Sequence, residues 1–363
     1  MNHERYPCID SAKVLMMTLG VVLHAAGMLS PTTSAMINFH SKHPIFAELV
    51  FWIHAFRMQA FFIIAGFMAA MMLTKYDPIR FLDKRSTRLL IPFCSVLVLI
   101  NIPMRTFFLS DETFNPAHVA PLHLWFLPAL MICSLIHGAL FRPQLLAQLR
   151  FRLIIFNRVG IVAALVAAAT FIYVAKRILW RFHLGDVEAY IGEAVKLSEL
   201  ATLLPCYCVG AVLYECRSQL NALIEHWQIH LTAALLFVTA KYCSVSEYAI
   251  EWLGDLFALA ITMLFLNLGR LKFMQGFATA WWSGFTFTLY VLHLPFLFML
   301  RTLVEDTFDS VWLLFIVATV GSILLCLISH YAIARSAVLA FLFNGETKPA
   351  TKMRSASPQA VTT

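Results

Sequence analysis

The chain has 363 residues, 60% of them hydrophobic and only 13% charged, with a mean hydropathy of +0.77. No water-soluble domain of this size can bury that much apolar side chain, so the composition excludes a soluble globular protein and implies a polytopic membrane protein. The formal charge of +7 is therefore read by its position along the chain, not as a nucleic-acid surface, and no nucleic-acid partner is expected.

Ten apolar stretches are predicted to cross a bilayer as helices, over 11–29, 45–73, 89–109, 122–141, 159–179, 198–215, 229–246, 250–269, 283–302 and 311–333. The expected fold is all-α, a bundle of about ten transmembrane helices. With the N-terminus placed inside, 18 of the 27 Lys and Arg residues fall in inner segments and 7 in outer ones, while Arg57 and Arg105 lie within spans. That bias predicts both termini in the cytoplasm. Lys176, Arg177 and Arg181 are the exception, on the wrong side of the fifth span.

The first span reads SAKVLMMTLGVVLHAAGML, with Lys13 at one end and His24 eleven residues on. At 1.5 Å per residue they stand about 16 Å apart. With Lys13 at the interface, His24 is expected near mid-membrane, where an ionisable group costs roughly 2.5 kcal/mol or more unless paired or wet. Glu4 and Asp10 among the preceding basic residues argue against a signal peptide.

The second span contains FWIHAFRMQAFF, which puts His54 and Arg57 on one helix face, with Gln59 following. Arg57 either snorkels to the outer interface or serves a site. The next loop, KYDPIRFLDKRSTRLLIPF, places Arg85 and Arg88 three apart where the third span begins, with Pro92 in its first turns. The pair is either a topology signal or an anion site, since two guanidiniums can clamp a phosphate. His123 and Trp125 open the fourth span, as an aromatic belt or as a site. Asp255 lies in the eighth span with no evident partner. The ninth carries Tyr290 and His293 three apart, with Pro295 as a kink. His293 is either satisfied by a neighbouring helix or a site residue.

The eight cysteines mostly fall inside apolar runs without zinc spacing, so no metal is expected. Residues 336–363 are expected to form a disordered cytoplasmic tail after a transmembrane domain over 1–335.

Together these motifs resemble the acyltransferase 3 family of bacterial membrane acyltransferases. Lys13-x10-His24 is similar to the family's Arg/Lys-x10-His pattern, and Phe81, Arg85, Arg88, Leu89 and Pro92 to its FxxxRxxRlxP stretch. FFIIAGF at 61–67 resembles FFxxSGF, with Ala65 where serine is usual, while HLWFL at 123–127 and LYVLHLP at 289–295 resemble later motifs. Within the family, FRMQAFF at 56–62 is most similar to periplasmic glucan succinyltransferases.

The resemblance implies an inner-membrane enzyme that moves an acyl group, acetyl or succinyl, from cytoplasmic acyl-CoA to a hydroxyl of an extracytoplasmic glycan, with no tightly bound cofactor. It implies catalytic roles for His24, Lys13 and Arg57, with Lys13 alternatively an anchor against Asp10. Arg85 and Arg88 would bind CoA, and His54, His123, Tyr290 and His293 the substrates. The same intramembrane His and Arg residues would also suit a transporter or a glycan-export component with a polar path.

Overall fold

Thirteen α-helices and no strand make up the described residues of the computed structural model, which are 6–33, 38–104, 122–140, 158–182, 196–243, 245–277 and 279–346. The first three helices, α1 (Pro7–Leu29), α2 (Pro44–Leu73) and α3 (Pro78–Val96), each begin on a proline. There the missing N–H is one that a helix leaves unpaired anyway. Asp77 caps α3 by accepting from the Arg80 N–H at 2.8 Å, and a π-helical turn, Leu97–Asn101, carries the helix on. A 3₁₀ turn, Leu122–Trp125, leads into α4 (Phe126–Leu140). Then come α5 (Arg158–Trp180), α6 (Leu197–Glu215), α7 (Leu220–Glu225), α8 (Trp227–Tyr242), α9 (Glu247–Leu268) and α10 (Lys272–Gln275). The chain closes with α11 (Ala280–Val304), α12 (Val311–Ile333) and α13 (Ala337–Asn344).

Among the described residues, nine helices are long and apolar enough to cross a membrane. The tenth expected span is α8, which has 16 residues and is about 24 Å long. It packs mainly on α9. The least buried spans are α3, α5 and α12, whose outward faces carry Val98, Val166, Phe171, Ile316 and Leu324. Such a surface is a liability in water and a match for lipid.

The middle of the bundle is α2, which packs most extensively on α6. At that crossing a Cβ on Gly66 would strike the Tyr207 carbonyl, and one on Gly210 would strike the Ile63 carbonyl. The two glycines thus let two backbones touch. Helix α1 lies against α2, α11 and α12.

Four expectations are corrected. The third span starts at Pro78, eleven residues before the expected 89, so Arg85 and Arg88 sit within α3 and Pro92 lies in its interior. The charges interleaved through this amphipathic stretch had masked the helix, which Asp77 and Pro78 open. Asp255 does have a partner: Lys176 Nζ lies 3.0 Å from its carboxylate, both side chains buried. Arg177 likewise pairs with Glu251 at 3.0 Å. These residues on α5 therefore pair with α9 and need not mark a membrane side. Lastly, the expected tail begins as α13, capped by Ser336. Its remainder from 347 lies outside the described residues, as do Arg5, Arg105, Arg142, Arg150 and Arg152.

Candidate active site

Four segments of the bundle line a cavity of about 120 Å³, large enough to hold water. Helix α1 contributes His24, α2 contributes His54, Arg57 and Phe61, the turn before α4 contributes His123 and Trp125, and α11 contributes Tyr290 and His293. Six of the nine residues named from the sequence therefore meet, although they span more than two hundred positions.

The cavity is off-centre. Helix α1 runs from Pro7 to Leu29, so His24 lies about 8 Å from its C-terminal end and about 25 Å from its start. The mid-membrane expectation for His24 assumed that the helix began near Lys13. It begins six residues earlier, and the cavity lies towards the end of the bundle away from the N-terminus.

Three imidazoles and a phenol form the polar wall. The His24 and His293 rings are 5.2 Å apart between centroids, the His123 and His293 rings 5.0 Å, and the His123 and Tyr290 rings 5.5 Å. Backbone carbonyls fix the tautomers of two of them. His293 Nδ1 lies 2.8 Å from both the Leu289 and Tyr290 carbonyl oxygens. A carbonyl only accepts, so this nitrogen carries the proton and Nε2 keeps its lone pair. His123 Nε2 donates to the Val291 carbonyl at 3.2 Å, which leaves Nδ1 basic. Both basic nitrogens are buried without a hydrogen-bond partner among the described residues. The Val291 carbonyl is free because Pro295, four residues on, has no N–H to give it. Tyr290 ties the two walls together by donating to the His123 carbonyl at 2.6 Å.

Arg57 supplies the positive charge. Its Nε is buried without a partner, and no carboxylate pairs with it among the described residues. The guanidinium lies against α1 at Gly20, one turn before His24, where a Cβ would clash with Nη1. An unpaired cation in this cavity leaves the site short of one negative charge.

Lys13, Arg85 and Arg88 lie outside the cavity. Lys13 pairs with Asp10 at 2.6 Å and stands about 16 Å along α1 from His24. Arg85 turns into the bundle: its Nη2 lies 3.5 Å from the Ala65 carbonyl and its Cζ 5.7 Å from the Phe81 ring centroid. Beside it, His137 Nδ1 and the Tyr207 hydroxyl are 3.3 Å apart. Arg88 is exposed and faces Glu346, whose carboxyl burial holds above its ordinary value while Arg88 pulls it down. The two arginines thus point into different surroundings. Ala65 and Arg57 are both on α2, about 12 Å apart along its axis.

Sequence reasoning missed His137 and Tyr207 beside Arg85, and Gly20 beside Arg57. A small residue one turn from an intramembrane histidine is a usable signal for the last; the first two show only once α3, α4 and α6 are packed.

No solved structure matches the chain. Among curated proteins it is similar to glucans biosynthesis protein C of Salmonella paratyphi B (strain ATCC BAA-1250 / SPB7), Salmonella dublin and Salmonella enteritidis PT4 (strain P125109). Each is 26% identical to it, over 41% of this chain and 45% of the relative, so the match spans less than half the length of these proteins. The acyltransferase 3 family model, an acyltransferase domain, matches residues 6–331. The chain belongs to the acyltransferase 3 family.

Proposed function

We propose that the chain transfers an acyl group, acetyl or succinyl, from cytoplasmic acyl-CoA to a hydroxyl of an extracytoplasmic glycan at the bacterial inner membrane. The observation that carries this reading is the convergence of four imidazoles and an unpaired guanidinium on one small cavity. The name of its relatives, which refers to glucan biosynthesis, supports a glucan-like acceptor.

In this reading the N-terminal side of the bundle is cytoplasmic and the cavity lies towards the acceptor's side. Arg85 meets the phosphates of CoA near the Ala65 carbonyl, Arg88 guides them from the surface, and the thioester reaches along α2 to Arg57. His24 takes the proton from the sugar hydroxyl as its oxygen attacks the thioester carbonyl. Arg57 stabilises the oxygen that becomes negative. The new C–O bond forms, the C–S bond breaks, and the proton passes from the His24 imidazolium to the departing thiolate. His54, His123, Tyr290 and His293 hold the acceptor, with the bare nitrogens of His123 and His293 as hydrogen-bond acceptors for its hydroxyls. Lys13 anchors the start of α1 through Asp10.

The test is labelled acyl-CoA supplied to membranes containing the chain, followed by mass spectrometry of the glycan. Label on glycan hydroxyls is expected. Unmodified glycan, with less of it outside the cell when the chain is deleted, would instead favour an export component.

A further inference from the structure

We infer that Gly20 is a positioning residue for the acyltransferase reaction, one whose missing side chain is the seat of the Arg57 guanidinium. The inference rests on the proposed function only for what Arg57 does once it is seated.

Gly20 is buried on α1, four residues before His24, so the two share a helix face. An added Cβ would clash with Arg57 Nη1, the tip of a long side chain, and lie 3.6 Å from its Cζ. Among the described residues, no other group beyond α1 itself lies within 4 Å of that position. Nor does an ion pair hold the guanidinium, since no carboxylate partners Arg57 and its Nε lacks a hydrogen bond among the described residues. The missing side chain therefore lets this cation lie beside α1, about one turn (~5–6 Å) from the His24 position. A base and an oxyanion partner that act on one thioester carbonyl must keep such a spacing. Displacements of about 1 Å can cost on the order of 100-fold in rate.

Glycine inside a helix is otherwise a disadvantage, because alanine is the better helix former. Gly27, on the same helix, gives the contrast. A Cβ there would meet only Thr33 Cγ2 at 3.7 Å, an ordinary contact. Gly27→Ala is therefore expected to leave transfer unchanged.

The experiment is a double-mutant cycle on the full chain in detergent, read by thermal unfolding, together with acyl transfer in membranes at saturating acyl-CoA. Gly20→Ala is expected to lower the Tm when Arg57 is present and to raise it in an Arg57→Met background, where nothing fills the seat. A merely structural glycine would shift the Tm alike in both backgrounds, and that result would overturn the inference. In the otherwise native chain, Gly20→Ala is expected to reduce transfer at least about tenfold, less than the loss from a full 1 Å displacement. Transfer within about twofold of the native rate would overturn the positioning role even if the Tm coupling is found. A native chain that transfers no acyl group would refute the proposed function, while the Tm cycle would still decide whether Gly20 seats Arg57.

Discussion

Replacing His24 by glutamine separates the chemistry of this ring from its packing. The His24 ring meets His293 at 5.2 Å with a 42° tilt, and no hydrogen bond holds it among the described residues. Glutamine fills a similar volume and forfeits no hydrogen bond of the fold, so the Tm of the variant is expected to match the native protein. What glutamine cannot do is accept a proton near neutral pH. General-base contributions are typically about 10²–10⁴-fold, or about 2.7–5.5 kcal/mol of barrier. Acyl transfer to glycan from labelled acyl-CoA should fall by that factor, while acyl-CoA binding, which the proposed function assigns to α3, should persist. Transfer above about a tenth of the native rate, outside that range, would refute the assignment. His293 would then be the base to test, because its proton is already parked on Nδ1 and its Nε2 is bare.

Arg57→Gln should reduce succinyl transfer far more than acetyl transfer, since succinyl brings a carboxylate that the unpaired guanidinium can neutralise; equal losses with both donors would point to oxyanion stabilisation alone. Arg85→Lys should weaken acyl-CoA binding by about tenfold or more, the worth of one charge-assisted hydrogen bond, whereas the exposed Arg88 should tolerate lysine within about twofold; equal sensitivity in a binding titration would contradict the split surroundings of the pair. Lys176→Met strands Asp255 in the bundle and should destabilise the protein by about 3–5 kcal/mol in detergent unfolding, and adding Asp255→Asn should restore most of it. Burial raises the Glu346 carboxyl, so the folded state favours its protonated form. Its contribution to holding α13 is full below the ordinary carboxyl value of about 4.3 and is lost as the pH rises through the raised one. Limited proteolysis after α13 should therefore quicken from acid towards neutral pH in the native chain, and Glu346→Gln should flatten that rise.

The spans were legible because a bilayer needs long apolar runs, and seven of the ten expected ranges lie within about three residues of a helix at both ends. The start of α3 was not, because its charges break the apolar run while leaving the helical period intact. The polar members of the cavity were legible one at a time, as ionisable groups where lipid should be. Their convergence was not, since it depends on how α1, α2 and α11 pack. Asp255 shows the same divide: the buried charge was plain, but its partner lies 79 positions away on α5. Gly20 was read past for the opposite reason, since its contribution is a side chain it lacks.

One consequence of the free Val291 carbonyl concerns how sensitivity to mutation will be distributed. The atom that orients His123 belongs to the main chain, so exchanging the Val291 side chain leaves it in place. A change four positions away makes it a shared acceptor, because any residue but proline would offer an amide N–H to the same oxygen and compete with His123 for it. A saturation scan should therefore show position 291 as permissive to other apolar residues and position 295 as intolerant, although residue 291 makes the contact and residue 295 does not line the cavity. Read without the backbone, that pattern would credit the proline with a kink. Its chemical contribution is a subtraction: it withholds one donor, and the vacancy is filled by an imidazole from another helix.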